Sequence, residues 1–238
     1  MKISNITYKI TGIDIHCYKF SILSIIANMY VIICNNKAII IDPNMNDDVL
    51  YLLNYNNVES VMIMLTHEHY DHISGVNWLK SKYNAIVICT NECGKNIVDP
   101  SKNISRYYEA MFNLSDKTNK NNIYVESKIP IYICTADITF QSELKFNYNN
   151  YNILIKETPG HSKSSSSIIM NNEIIFTGDS LLKNISVNTR FPGGSRNKYY
   201  EETIPFYKSL CQNLMVFPGH GDTGILSSLL SEVKSNVA

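Results

Sequence analysis

The sequence lacks an excess of charge of either sign. Its 238 residues contain 21 Lys and Arg against 21 Asp and Glu, so the formal net charge is +0. A protein that coats a polyanion carries a strongly basic surface, and this balance therefore argues against a nucleic-acid partner. Charged residues make up 18% and apolar residues 45% of the chain. That composition supports a sizeable core and excludes wholesale disorder.

Long apolar runs and closely paired cysteines are also missing. The longest apolar stretch, residues 20–33, is interrupted by Ser21, Ser24 and Asn28, and at about 14 residues it is too short to cross a bilayer. The first residues lack the apolar segment of a secretory signal, so we expect a cytoplasmic protein with no membrane partner. The six cysteines form no CxxC pair, which favours reduced thiols over a disulfide framework.

Short apolar runs alternate along the chain with segments of helical spacing. Asn35-Asn36 and Asn171-Asn172 each separate two apolar runs, which predicts two β-hairpins, with strands at 29–34 and 37–41 and at 168–170 and 173–177. Further strands are predicted at 60–65, 85–90, 131–134, 137–140, 153–157 and 214–217, and helices at 47–55, 70–82, 105–112, 199–210 and 225–233. No repeat or linker divides the sequence, which predicts one domain over residues 1–238.

Histidine is scarce but concentrated. Three of the six histidines, His67, His69 and His72, lie in the motif THEHYDH, directly after the predicted strand 60–65. From an extended chain His67 and His69 point the same way, and Asp71 and His72 stand at the turn that follows. Imidazoles and a carboxylate this close together suit divalent ions such as Zn²⁺, Fe²⁺ or Mn²⁺.

Three more candidate ligands each follow another predicted strand. His161 lies in TPGHS, Asp179 in FTGDS and His220 in FPGHG. Loops at one edge of a sheet commonly build a site, so we expect these side chains to meet the THEHYDH motif. Asp42, in the segment IDP, is a candidate for orienting a ligand histidine; capping of a turn is the alternative.

Together these motifs resemble the metallo-β-lactamase superfamily. THEHYDH matches its HxHxDH signature, and TPGHS, TGDSL, FPGG and PGHG follow in the order typical of glyoxalase II-like hydrolases. The resemblance implies an α/β fold, namely an αβ/βα four-layer sandwich, with two divalent metal ions; zinc is favoured, and iron and manganese are alternatives. The implied ligands are His67, His69 and His161 for one ion, Asp71, His72 and His220 for the other, and Asp179 as a bridge.

The function implied by the resemblance is hydrolysis of a small thioester or ester by a metal-bound hydroxide. Asp71 and Asp179 are then the catalytic residues that steer the nucleophile. Two divalent ions carry a formal charge of +4; the two carboxylates remove two and a hydroxide one, so about +1 remains for a developing oxyanion. The expected partner is a small-molecule substrate, and this residual charge also suits an anionic one.

Two segments depart from the glyoxalase II pattern. Residues 187–194 read VNTRFPGG where GRTDxPGG is usual, and Ser164 stands where TPGHTxGS has glycine. The 18 residues after His220 leave no room for the helical domain that contacts glutathione in the long enzymes, so we expect none. Five basic residues are candidates for a carboxylate or phosphate clamp, with solvated surface charges as the alternative: Lys163, Lys183, Arg190, Arg196 and Lys198.

Other functions on the same ligands stay open. They are phosphodiester cleavage in RNA, sulfur dioxygenation at one iron held by two histidines and an aspartate, β-lactam hydrolysis, and partner binding as an immunity protein. RNA-processing relatives need a basic surface, and zinc β-lactamases often have Cys where this chain has Asp179. Retention of all seven ligands argues against a role in partner binding alone, because buried ionisable ligands are costly without metal. The sequence holds no signal of oligomeric state.

Overall fold

Two β-sheets form the centre of the protein, whose computed structural model describes residues 5–22, 25–113 and 130–233. The first sheet has the order β1-β2-β3-β4-β5-β6-β7 and the second the order β13-β12-β11-β10-β9-β8. The strands of the first sheet are β1 (Asn5–Ile10), β2 (Ile13–Ile22), β3 (Ile25–Cys34), β4 (Lys37–Ile41), β5 (Ser60–Met64), β6 (Asn84–Thr90) and β7 (Ile138–Phe140). Those of the second are β8 (Glu143–Tyr148), β9 (Tyr151–Glu157), β10 (Ser166–Met170), β11 (Ile174–Gly178), β12 (Met215–Pro218) and β13 (Gly224–Ile225).

Short helices connect the strands. They are α1 (Asp47–Tyr55), α2 (Tyr70–Ile73), α3 (Val76–Lys80), α4 (Asn91–Asn96), α5 (Tyr108–Asn113), α6 (Arg196–Lys198), α7 (Ile204–Ser209) and α8 (Leu226–Glu232), with a π-helical turn at Tyr199–Thr203 between α6 and α7. Within the described ranges, no helix is long and apolar enough to cross a membrane. That the chain forms one domain stays a prediction.

Three apolar cores separate four layers. Ile39 and Phe176 belong to the core between the two sheets. Leu53 of α1 packs on the outer face of the first sheet, and Tyr207 and Leu229 of α7 and α8 pack on the outer face of the second. The order is therefore helices, sheet, sheet, helices, which confirms the predicted αβ/βα four-layer sandwich.

The strands in the middle of the first sheet are buried on both faces. In β4, Ala38 and Ile40 face the helices, whereas Ile39 and Ile41 face the other sheet. Parallel strands covered on both sides read as continuous apolar runs, and β4, β5, β6 and β7 are paired in parallel. This explains why the sequence shows no alternation there.

Both predicted hairpins are confirmed, since β3 pairs antiparallel with β4 and β10 with β11. Asn35, Asn171 and Asn172 have φ values of 56°, 53° and 55°. Among residues other than glycine, asparagine tolerates this left-handed region best. The Asn-Asn pairs therefore supply the backbone conformation that the two tight turns need.

The predicted helix 70–82 is instead two short helices, α2 and α3, separated at Ser74 and Gly75. Gly75 donates its N–H to the Pro43 carbonyl at 2.8 Å, and a Cβ at Gly75 would lie 2.6 Å from the backbone carbon of Asn44. The chain that leaves β4 therefore presses against this point, and only glycine leaves room for it. The helix breaks because its second turn must pass a neighbouring backbone.

The predicted strand 131–134 is wrong. The backbone of Tyr132 bonds to side chains instead of a neighbouring strand: its carbonyl accepts from Asn103 Nδ2 at 2.8 Å and its N–H donates to Ser105 Oγ at 3.1 Å. Strands β1, β2, β8 and the two-residue β13 were not predicted. A signal existed for β2, where Ile13, Ile15 and Cys17 alternate with less buried residues.

Two isoleucines of β6 provide a matched test of the core between the sheets. Ile88 is 2% exposed and Ile86 is 43% exposed on the same strand. We expect Ile88→Ala to lower the free energy of unfolding by about 2–5 kcal/mol, because it leaves a cavity, and Ile86→Ala by less than about 1 kcal/mol. Urea unfolding measures both. Equal losses would contradict the assignment of this core.

Candidate metal centre

The seven candidate ligands stand where four strands end. THEHYDH leaves β5 and enters α2, His161 lies in the loop between β9 and β10, Asp179 directly follows β11, and His220 follows β12. All are buried except His220, which is half-buried. The sheet order brings these strand ends together, although His69 and His161 are 92 residues apart in sequence.

One group consists of His67, His69 and His161. A nitrogen from each lies within 4.8 Å of the others, and His69 Nδ1 is 3.0 Å from His161 Nε2. Their ring centroids are 4.6 Å apart for His67 and His69 and 5.0 Å for His67 and His161. Three nitrogens this close can share one cation in tetrahedral geometry that leaves a fourth position open.

A second group consists of Asp71, His72 and His220, whose ligand atoms also lie within 4.8 Å of one another. His72 Nε2 is 3.3 Å from His220 Nε2, and His220 Nε2 is 3.4 Å from Asp71 Oδ2. The structure thus assembles the two groups that the resemblance implies. That these residues bind metal stays a prediction.

Asp179 lies between the two groups. Its Oδ2 is 3.4 Å from His161 Nε2 and 3.2 Å from His220 Nε2, and its Oδ1 is 3.5 Å from His72 Nε2. A Cβ at Gly219 would overlap Asp179 Oδ1 and lie 2.7 Å from His72 Cε1. Glycine at this position therefore keeps the space beside the carboxylate open.

Three histidines are oriented by groups that can only accept a hydrogen bond. His72 Nδ1 is 3.0 Å from Asp42 Oδ2, His161 Nδ1 is 2.8 Å from the Asn188 carbonyl, and His220 Nδ1 is 2.7 Å from the Ile26 carbonyl. Each Nδ1 must therefore carry the hydrogen. In the neutral ring this leaves the lone pair on Nε2, which faces the cluster.

Asp42 orients two of the candidate ligands. Besides His72, its carboxylate accepts from the Thr66 N–H at 2.8 Å and from the Thr66 hydroxyl at 2.6 Å. Because that hydroxyl gives its hydrogen to Asp42, its oxygen can accept from His67 Nδ1, 3.0 Å away. Of the two alternatives for Asp42, the contacts support the orienting role.

The two ligand groups differ in the protonation state of their histidines. Burial lowers the pKa of His67 well below its ordinary value and lowers the pKa values of His69 and His161 to about 4. These three rings are therefore neutral near pH 7, which is the form that binds a metal ion.

The second group carries charge. Burial opposes ionisation of Asp71, but His72 and His220 lower its pKa to about 2. Burial likewise opposes the charged form of His72, but Asp71, Asp179 and Asp42 raise its pKa to about 9. The carboxylates thus attract positive charge to this point, and a divalent ion can supply it in place of protons.

Unpartnered buried atoms test whether the residues fit metal ions. Among the described residues, His67 Nε2, His69 Nε2 and Asp179 Oδ1 are buried side-chain atoms without a hydrogen-bond partner. Such atoms are costly unless something else satisfies them. Thr66 contacts the other ring nitrogen of His67, Nδ1, so His67 Nε2 stays available. Asp179 Oδ1 lies 3.5 Å from His72 Nε2. The donor set of five imidazoles and two carboxylates fits a pair of divalent ions.

Glu68 is a buried residue of the site that the sequence did not single out. Its Oε2 accepts from Ser162 Oγ at 2.9 Å and from Ser164 Oγ, and its Oε1 accepts from Asn96 Nδ2 at 3.1 Å. Glu68 thereby ties the THEHYDH motif to the loop that carries His161. Ser164, which replaces the usual glycine, was the one signal of this contact.

Two aromatic residues complete the surroundings. The ring of Phe191 lies 5.1 Å from His69 and 5.4 Å from His161, edge to face. Tyr108 is fully buried beside Tyr70; burial, together with Asp71 and Asp179, raises its pKa, so its hydroxyl stays protonated. Tyr107 is 47% exposed, a difference that the Tyr-Tyr sequence does not reveal.

Similar proteins are known by sequence and by structure. The chain is 24% identical over 200 residues to a probable metallo-hydrolase of Streptococcus pyogenes, covering 82% of this chain and 78% of that protein. It is 26% identical over 186 residues to a hydroxyacylglutathione hydrolase of Pelagibacter ubique, covering 78% of this chain and 62% of that protein. The match thus spans less than two thirds of the hydroxyacylglutathione hydrolase.

The fold matches that of solved structures. The crystal structure of the B3 metallo-β-lactamase BLEG-1 superposes with a TM-score of 0.70 at 21% identity and covers 90% of this chain and 96% of that one. The family model for the metallo-β-lactamase superfamily matches residues 25–220, which include all seven candidate ligands. The chain therefore belongs to the metallo-β-lactamase superfamily, and this membership supports hydrolase activity at the level of the family.

Proposed function

We propose that the protein hydrolyses a small thioester or ester with two divalent metal ions, zinc being favoured. The observation that carries the proposal is the placement of Asp179 between two groups of three ligand atoms. Similarity to a hydroxyacylglutathione hydrolase supports the thioester class. When bound, the ions supply Lewis acidity, which polarises a carbonyl and lowers the pKa of water.

The chain's own residues have distinct tasks in this proposal. His67, His69 and His161 hold one ion and present neutral nitrogens to it. Asp71 and Asp179 are acceptors at the centre of the site, and Asp179 Oδ1, which has no partner among the described residues, can accept a hydrogen bond from the attacking water and aim it. Steering of this kind raises the rate by holding the reactants in a productive geometry.

The substrate is a small molecule in this proposal. Phe191 covers His69 and His161 from one side, so it excludes water there and offers an apolar wall to an acyl group. The two carboxylates offset half of the +4 formal charge of two divalent ions, which leaves the site attractive to an oxyanion. The balanced net charge of +0 favours such a substrate over RNA.

Replacement of Asp179 tests the reaction. With purified protein loaded with zinc, we expect turnover of a panel of thioesters, esters and lactones, and a fall of at least about a hundredfold in kcat/KM for Asp179→Ala, because the shared acceptor is lost. Asp14→Ala is the matched control, since Asp14 is an exposed aspartate on β2. If the wild type shows no turnover above the Asp179→Ala background, the proposal is refuted. One iron per chain, together with oxygen consumption on a persulfide, would favour the dioxygenase alternative.

Asp42→Asn tests how the ligands are held. Asparagine tolerates the φ of +51° at this position, so the substitution keeps the backbone but removes the charge that His72 and Thr66 bond to. We expect zinc affinity, measured by competition with a chelating dye, to fall about 10–100-fold. Thermal unfolding of the chelator-treated protein serves as the control for folding. An unchanged zinc affinity would show that Asp42 has no orienting role.

A further inference from the structure

A cavity lies beside the metal centre. Its volume is about 680 Å³, and it is bounded by the loop after β11, by the segment from α6 to the π-helical turn and by α8. None of the seven candidate ligands lines it. The volume is within the range of about 300–1,000 Å³ that is usual for small-molecule sites.

The structure separates the five candidate clamp residues into two kinds. Three are engaged: Lys163 lies 3.0 Å from Glu92, Lys198 lies 3.5 Å from Glu202, and Lys183 donates to the Thr223 carbonyl at 3.3 Å. In the part of the chain that the structure describes, Arg190 and Arg196 have no carboxylate within ion-pair distance, and both line the cavity.

Neighbouring residues contact both arginines. The backbone N–H of Arg190 donates to Asn188 Oδ1 at 2.9 Å, and the guanidinium of Arg196 lies 5.9 Å from the centre of the Tyr200 ring. One carboxylate, Glu232, also lines the cavity, but it accepts from the Asn184 N–H at 2.6 Å. The lining therefore has a net charge of +1 and two planar cationic groups.

Guanidinium groups bind carboxylates and phosphates with paired hydrogen bonds. Leu181, Tyr199 and Val233 add apolar surface to the same cavity. We propose that this cavity binds a small organic anion, whose carboxylate or phosphate group is held by Arg190 and Arg196.

The cavity and the metal centre share one loop. The Asn188 carbonyl accepts from His161 Nδ1 at 2.8 Å, Arg190 faces the cavity, and Phe191 packs against His69 and His161. An anion drawn to Arg190 therefore contacts the loop that orients a candidate ligand. The anionic group belongs either to one end of the substrate or to a separate small molecule. Only this link to catalysis rests on the proposed function; binding of the anion does not.

Calorimetric titration of the metal-loaded protein with inorganic phosphate and with succinate tests the site. We expect millimolar or tighter binding, weakened about tenfold by Arg190→Gln and by Arg196→Gln, since each substitution removes one charged hydrogen-bond donor. Lys198→Gln is the matched control, because Lys198 lies on the same helix as Arg196 but pairs with Glu202. If both arginine variants bind the anions with wild-type affinity, as expected for an anion bound at the metal ions, the proposal is overturned. Absence of binding at millimolar concentration overturns it as well.

A pair of esters with the same acyl group, one neutral and one carrying a carboxylate, separates the two sources. If the anion is part of the substrate, the arginine variants raise KM about tenfold for the charged ester and leave the neutral ester unchanged. If it is a separate molecule, phosphate alters kcat for the neutral ester in the wild type and in Lys198→Gln but not in the arginine variants. Either result supports the site. Failure to hydrolyse any ester refutes the proposed function and leaves the titration to decide this proposal.

Discussion

The buried carboxylate of Asp42 fixes the orientation of side chains in the candidate metal centre. Strands β4 and β5 pair in parallel with Ile41 opposite Met64, so Asp42 and Thr66 leave the sheet side by side. The carboxylate accepts hydrogen bonds from the Thr66 backbone, the Thr66 hydroxyl and His72. Because the Thr66 hydroxyl in turn faces His67, one charged group at a strand end fixes a ring from each ligand group. A buried carboxylate is stable only with such donors.

Charge is distributed unevenly over the site that Asp42 holds. The group of three histidines is neutral, because burial keeps those rings deprotonated. In the other group, Asp71 and Asp179 make His72 and His220 favourable places for positive charge. Asp179 lies within 3.4 Å of a ring nitrogen from each group. Its charge therefore acts on histidines of both groups.

Local patterns predicted the elements whose cause is local. The Asn-Asn turns and helix α1, which the structure places at Asp47–Tyr55 as predicted, follow from backbone preference and apolar spacing. Predictions failed where a distant segment intervened. The helix after THEHYDH breaks because Asn44 approaches Gly75, and residues 131–134 form no strand because Asn103 and Ser105 occupy the backbone of Tyr132. Neither contact leaves a trace in the short-range pattern.

The sequence by itself determined the chemistry of the site, since the identity and spacing of the imidazoles and carboxylates at strand ends are local features. Only the tertiary structure decided their partners. Sheet order places His161 beside His69, Glu68 beside Ser164 and Asp179 between the two groups. Among the residues that the structure describes, it leaves Arg190 and Arg196 without the acidic partners that Lys163 and Lys198 have. Pairings of this kind join residues far apart in the chain, and their distances depend on how the two sheets pack, which no local pattern specifies.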